Sequence, residues 1–319
     1  ADKMCAEAVA VAVAKCADDT RGQTCYICTQ VLHWKTKEGL VRGCACRGTA
    51  GFAHVSCLAE QAKILVAEAE ENNLGAKAWN ERWARWSMCS LCEQRYQGVV
   101  KCALGWVCWK TYLGRPETDE TRSLAMTQLG NGLFEAGRYE DSLSVMETEL
   151  ATLRRIGAPE EQILVTQGNL AGLYGQLGRL EGALLMQRDT YAGRLKLRGE
   201  EHEKTLFAAY NYANLLVHLE RYAEAKALLR QTIPVARRVL GENNDMTLRI
   251  KWNYAIALYD DADASLDDQR EAVGTLEEIE PIARRVLGGA HPVTEGIEGD
   301  LRKAQAGLRA RETPPPGSS

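Results

Sequence analysis

The stretch Cys44-Ala45-Cys46-Arg47-Gly48-Thr49-Ala50-Gly51-Phe52-Ala53-His54-Val55-Ser56-Cys57 sets three cysteines and one of the chain's five histidines within fourteen residues. Working outward, Cys25-x-x-Cys28 lies fifteen residues before it and Cys89-x-x-Cys92 thirty-one residues after it, while seven residues separate Cys46 from His54. All eleven cysteines fall between Cys5 and Cys108. An odd total with seven cysteines in patterned pairs suits a reducing compartment and a metal better than a disulfide framework.

The pairs Cys25/Cys28, Cys44/Cys46, His54/Cys57 and Cys89/Cys92 offer eight ligands, and closed zinc sites take four Cys or His ligands each. Eight ligands therefore mean two zinc ions. Adjacent pairs need not share an ion. Cys25, Cys28, His54 and Cys57 on the first, with Cys44, Cys46, Cys89 and Cys92 on the second, would interleave the two sites. Metal binding would then fold a segment with little apolar core of its own. The pattern leaves no open coordination position, which argues against hydrolytic zinc chemistry. His33 has a spacing that fits no ligand pair and reads as a surface or packing histidine. Cys102 and Cys108, on the apolar run Cys102 to Trp109, read as buried thiols.

This ligand order resembles both PHD fingers, which read histone tails, and the RING-CH (RINGv) zinc fingers of ubiquitin ligases. One residue inside Cys44-x-Cys46 and seven before His54 match RING-CH, as do Arg42, Gly48-Thr49, His54-Val-Ser-Cys-Leu58, Trp86 and Tyr96. The resemblance implies a cross-brace module that holds a ubiquitin-charged conjugating enzyme and promotes transfer to a substrate lysine without a covalent intermediate or a catalytic residue of its own. It also implies that Ile27, Leu91 and Trp86 form the apolar patch for that enzyme, against the alternative that each packs on the zinc loops. The sequence departs from a common RING pattern where Glu93 and Gln94, rather than a basic residue, follow Cys92. That departure bears on thioester activation more than on enzyme binding.

The remainder of the chain has a different logic. Asn169-Leu-Ala, Asn211-Tyr-Ala and Asn253-Tyr-Ala recur every 42 residues, and Gly137-Arg-Tyr returns as Gly178-Arg-Leu and Glu220-Arg-Tyr. Small residues pair twelve apart at Gly130/Ser142, Ala171/Ala183 and Ala213/Ala225, whereas Ala255 meets its counterpart Ala272 five residues late, after the acidic insert Asp260 to Asp263. Apolar residues at i, i+3 and i+4 make each unit two antiparallel helices, which must stack on neighbours to bury a face. The units resemble tetratricopeptide repeats of the 42-residue kind found in kinesin light chains. Their linking signature stands whole at Gly288-Gly-Ala-His291-Pro292-Val-Thr294, with partial copies around His202 and Asn244. The turns therefore assign His202 and His291 to structure. The resemblance implies a concave face that binds a protein or peptide. There Gln128, Asn169, Asn211, Asn214 and Asn253 offer amides to an extended backbone, or else stabilise the repeat itself.

The expected fold is mainly α: a small two-zinc module, then an α-solenoid of about four helix pairs closed by a helix around Thr294 to Ala310. Residues 1–20 read as a tail or short helix, 21–113 as the zinc module with its following helix, 117–311 as repeats and 312–319 as a disordered tail. A net charge of −4 and a pI near 5.9 advertise neither a nucleic-acid nor an anionic-membrane surface. No apolar run approaches the ~20 residues of a membrane span. The chain begins with Ala, so a trimmed start is one reading. The favoured function is a RING-type ubiquitin ligase of the cytosol or nucleus whose repeats recruit substrate. The alternatives are a non-enzymatic zinc-binding adaptor and, further off, a PHD-like histone reader.

Overall fold

The computed structural model describes residues 1–289 and 291–312, so the expected tail lies outside the described residues except for Glu312. Among the described residues there are thirteen α-helices and a single 3-10 turn, and the only β pairings are two isolated bridges. Contacts divide the chain into two compact units, Ala1 to Leu177 and Gly178 onward, a border that falls inside the repeats rather than at residues 113–117.

In the first unit, α1 (Asp2–Cys16) buries Cys5, Ala8, Ala12 and Cys16, a helix face of small residues, against α4 (Gly98–Tyr112). Between them lie the zinc loops, α2 (Val55–Glu71), α3 (Ala76–Trp83) and the 3-10 turn Ala84–Trp86. The α2 N-terminus is held by Glu38, whose carboxylate accepts from Ser56 N (2.7 Å) and Oγ (3.0 Å). The apolar run from Cys102 is the middle of α4, and both Cys102 and Cys108 are buried there.

Helix α4 packs along α5 (Glu120–Glu135), the first repeat helix. Glycines on each side allow the close approach. A Cβ on Gly105 would stand 2.8 Å from Gln128 O, and one on Gly132 would stand 2.8 Å from Lys101 O and 2.9 Å from Cys102 Cα. Arg115, in the short connection, donates twice to Glu70 of α2 (2.9 and 2.7 Å), and Thr121 of α5 donates to the same carboxylate. Helices α6 (Tyr139–Arg155) and α7 (Glu160–Gln176) complete the unit. The Gly130/Ser142 pair meets as expected, Ser142 Oγ donating to Gly130 O at 2.8 Å.

The second unit contains α8 (Leu180–Arg198), α9 (Glu203–His218), α10 (Tyr222–Leu240), α11 (Asp245–Tyr259), α12 (Leu266–Leu287) and α13 (Pro292–Glu312). The paired small residues Ala213, Ala225, Ala255 and Ala272 are each 0% exposed, as helices crossing at alanine require. The linking signature has a physical content. Gly199, Gly241 and Gly288 end their helices at φ of 78°, 88° and 94°, conformations that a side chain disfavours. Next, the Nδ1 of His202 and of His291 and the Oδ1 of Asn244 accept from the backbone N–H two residues on, capping α9, α13 and α11. Thr205 and Thr247 then donate to carbonyls of the preceding helix. The acidic insert delays α12 until Ser265 and Asp268 form a capping box.

Candidate metal centre

Two zinc knuckles repeat one backbone design. In the first, Cys25 N donates to Gln30 O, Thr29 N to Cys25 O, and Ile27 N points at Cys25 Sγ (3.4 Å). In the second, Cys89 N donates to Gln94 O, Glu93 N to Cys89 O, and Leu91 N points at Cys89 Sγ (3.4 Å). Thr29 and Glu93 both sit at positive φ (62° and 54°), which folds each loop back over its thiolates. His54 enters as the residue before α2, and the bridge between Val41 and Ala53 holds its strand-like approach.

The eight expected ligands form two groups, Cys25/Cys28/His54/Cys57 and Cys44/Cys46/Cys89/Cys92, with the ligand atoms of each group within 4.8 Å of one another. Tetrahedral ligands on a zinc with ~2.3 Å Zn–S bonds lie about 3.8 Å apart. Cys46 Sγ and Cys89 Sγ are 3.8 Å apart, and His54 Nδ1 is 3.4 Å from Cys28 Sγ and 3.6 Å from Cys57 Sγ. The donor sets thus fit two zinc ions in the interleaved arrangement.

His54 would bind through Nδ1, because its Nε2 faces Val31 O at 3.2 Å, a contact that fixes the tautomer. Burial holds its imidazole below the usual range and so in the neutral, ligating form. Burial pushes the Cys44 thiol up to about 11 and those of Cys46 and Cys57 higher still, with neighbouring thiols adding to the last two. The Gln94 N–H lowers Cys92 to about 7. Crowded thiols cannot all ionise without a cation, so zinc would displace their protons. Gly51, inside the opening stretch, stands at φ 85° where a Cβ would lie 2.6 Å from Cys46 Cβ and 2.9 Å from its Sγ. Arg42 braces the same loop by pairing with Asp19 (2.6 Å), donating to Gly48 O (2.8 Å) and lying over Phe52.

His33 is outside both ligand groups, as expected. It is buried beside His54, ring centres 5.4 Å apart, and its Nδ1 accepts from Thr36 N.

Of the three residues expected in an apolar surface patch, Ile27 is 37% and Leu91 52% exposed, on the two equivalent knuckle tips. The knuckles are joined by Tyr26 Oη and Ser90 Oγ at 3.0 Å. Trp86 corrects the expectation. It is 1% exposed and packs on Trp83 and Tyr112, because α3 and α4 close over it, so it supports the module from within. Val31, Leu32 and Trp34, which flank His33 in the segment after the first knuckle, are further exposed apolar residues that the expected patch did not include. Their apolar run beside a ligand pair was the available signal.

The amides divide. Gln128, Asn169, Asn211 and Asn214 are half-buried, while Asn253 is buried and its Nδ2 donates to Asn214 Oδ1 at 3.4 Å. For that pair the structural role is visible.

The comparisons agree with this geometry. The RING-variant domain family matches residues 25–73, which includes six of the eight ligands, and the tetratricopeptide repeat family matches 121–196 and 204–285. No curated protein matches the chain. Among solved structures, nearly identical TPR-like repeats from a candidate kinesin light chain of Podosopora anserina align at 18% identity over 73% of this chain and 97% of that one, TM-score 0.50. A point-substituted variant of the same protein aligns at 18% over the same shares with a TM-score of 0.51. Both show the fold of the helical part. BtubC (BKLC) from P. vanneervenii aligns at 15% identity over 69% of this chain and 94% of its own, TM-score 0.48. No helix among the described residues is long and apolar enough to cross a membrane. The chain carries a RING-variant domain of two four-ligand zinc sites followed by tetratricopeptide repeats.

Proposed function

We propose that the chain is a RING-type ubiquitin-protein ligase: its zinc module binds a ubiquitin-charged conjugating enzyme, and its repeats recruit a protein or peptide substrate. The observation that carries this reading is the pair of exposed apolar tips, Ile27 and Leu91, on matched zinc knuckles tied by Tyr26 and Ser90. Two apolar side chains on rigid, metal-braced loops are a surface for a partner rather than a reactive centre. The ligase contributes no nucleophile. It holds the thioester so that a substrate lysine attacks. The repeats present Gln128, Asn169 and Asn211 as partly exposed amides able to bond a peptide backbone. The cytosol or nucleus, where thiols stay reduced, is the compartment this chemistry needs.

Autoubiquitination with a panel of conjugating enzymes tests the reading. The wild-type protein forms chains with at least one enzyme, and Ile27→Ala or Leu91→Ala cuts the rate about tenfold or more, the scale of an interface hot spot. Absence of chains with every enzyme refutes it. A second reading, a non-enzymatic adaptor, is favoured by one feature: Glu93 follows the last ligand where RING ligases commonly place a basic residue. In that case the conjugating enzyme binds and no chains form.

A further inference from the structure

The segment after the first knuckle carries three large apolar side chains within four residues, Val31, Leu32 and Trp34, at 58%, 55% and 69% exposure. The loop that presents them is firmly held. His33, alone among residues 31–37, is buried and ties it together: His33 N donates to Glu38 O (3.0 Å), Lys37 N to His33 O (2.9 Å) and Thr36 N to His33 Nδ1 (3.1 Å). Lys37 takes φ 59° to close the turn, and Val31 O faces the His54 imidazole. The apolar side chains are therefore displayed by a fixed backbone.

Two lysines share the loop. Lys35 and Lys37 are exposed, and among the described residues neither has an ion-pair partner. The chain's net charge of −4 does not describe this region. Trp34, Lys35 and Lys37 wall a groove lined also by Val9 and Val13 of α1, and every acid of that lining is engaged. Asp2 pairs with Lys110 (2.7 Å), Glu60 with Lys63 (3.4 Å), and Glu38 accepts from Ser56. The charge left over around Trp34 is positive.

An exposed apolar patch marks either a protein or a lipid surface. Composition decides between them. Protein interfaces are enriched in Trp but depleted of Lys. At a bilayer surface the two belong together, because an indole lies at headgroup level and a lysine on its apolar stem reaches the phosphates. Unpaired lysines add attraction to the anionic lipids of a cytoplasmic leaflet.

We propose that the loop from Val31 to Lys37 docks the chain on an anionic lipid surface, with Val31, Leu32 and Trp34 at the boundary of headgroups and acyl chains and Lys35 and Lys37 on lipid phosphates. The site stands whether or not the zinc module transfers ubiquitin.

The test sediments the full chain with vesicles of phosphatidylcholine alone or of an equal mixture of phosphatidylcholine and phosphatidylserine. The mixed vesicles bind about 30-fold more tightly, the worth of two lysines at a negative surface. Added salt removes that excess. Lys35→Ala/Lys37→Ala lowers affinity for the mixed vesicles by the same factor, and Leu32→Ala lowers it by about five- to tenfold, the worth of burying the exposed half of the side chain. Phosphatidylcholine brominated on its acyl chains, added to the mixture, quenches the fluorescence of an inserted indole. Quenching occurs in the wild type and is lost in Trp34→Phe, although the other tryptophans remain.

Absence of vesicle binding assigns the loop to a protein partner and overturns the proposal. Equal binding to both compositions, undiminished binding of Lys35→Ala/Lys37→Ala, or quenching that persists in Trp34→Phe overturns it too. The two compositions are compared on the wild-type protein, so that comparison decides even where a variant fails to fold.

Discussion

Replacing Gly51 by Ala separates two costs that usually arrive together. Gly51 and Gly48 both lie at positive φ, 85° and 60°, but a Cβ on Gly48 meets nothing within 4 Å while one on Gly51 meets Cys46 Cβ at 2.6 Å and Sγ at 2.9 Å. Gly48→Ala therefore carries only the backbone cost of a left-handed Ala, about 1 to 2 kcal/mol. Gly51→Ala adds an overpacking cost of about 1 to 3 kcal/mol, because Cys46 must move while it holds zinc. At tenfold per 1.4 kcal/mol, that extra cost speeds zinc release from the second site by about 5- to 150-fold relative to Gly48→Ala. A colorimetric chelator reads this as a fast phase of one zinc per chain, with the Cys25/Cys28/His54/Cys57 ion released later. Equal release kinetics for the two variants would refute the steric reasoning. A single phase of two zincs in Gly51→Ala would instead mean that the two sites open as one.

Lys251 of α11, its side chain 4% exposed, pairs with Glu242 (3.1 Å) and Glu278 (2.8 Å). Lys251→Met should cost less than about 1 kcal/mol, whereas the double variant Glu242→Ala/Glu278→Ala, which strands a buried ammonium, should cost about 3 kcal/mol by urea denaturation. Glu220 stands at φ 57° where the other two turns of its kind have Gly137 and Gly178. Glu220→Gly should raise stability by about 0.5 kcal/mol, a higher Tm by calorimetry, since relief of a left-handed side chain exceeds the entropy that Gly adds to the unfolded chain. Glu149 of α6 is 2% exposed, and burial raises its carboxyl from an ordinary 4.5 to about 7, so it binds its proton more tightly when folded. Its contribution is fully present below pH 4.5 and is lost as pH rises through about 7, on the order of 3 kcal/mol. Glu149→Gln should flatten the stability profile over that window; an unchanged profile would contradict the assigned cause.

The zinc ligands were legible because chelation demands particular residue types at short spacings, and the repeats because a stacked helix pair imposes its period on the chain. Even the crossing of Ala213 with Ala225 follows from the twelve-residue spacing. Trp86 was not legible in the same way. Whether an indole lies at the surface depends on what closes over it, and Trp83 and Tyr112 come from elements whose packing no local pattern states. Asn253 likewise reads as one amide of a ladder until Asn214 is found bonded to it. Glu149 looks like a surface residue of an amphipathic helix, yet comparison with Thr190, Thr232 and Ile279 at its register marks a position that the other repeats bury. That comparison between units was the signal to use.

The reciprocal glycines at the α4/α5 crossing bear on how such a protein can be taken apart. Cutting the chain at Leu113 to Pro116 would follow the sequence's own border but would bare Cys102 on one fragment and Leu129 and Leu133 on the other, a buried face shared by both. It would also separate Glu70 from Arg115 or from Thr121. The first repeat helix serves the zinc module as a wall. Load applied to α5 passes to α4 through backbone in near contact, and α4 shares a buried cluster with Cys25 and Cys89 of the knuckles through Val100, Ala103 and Leu104.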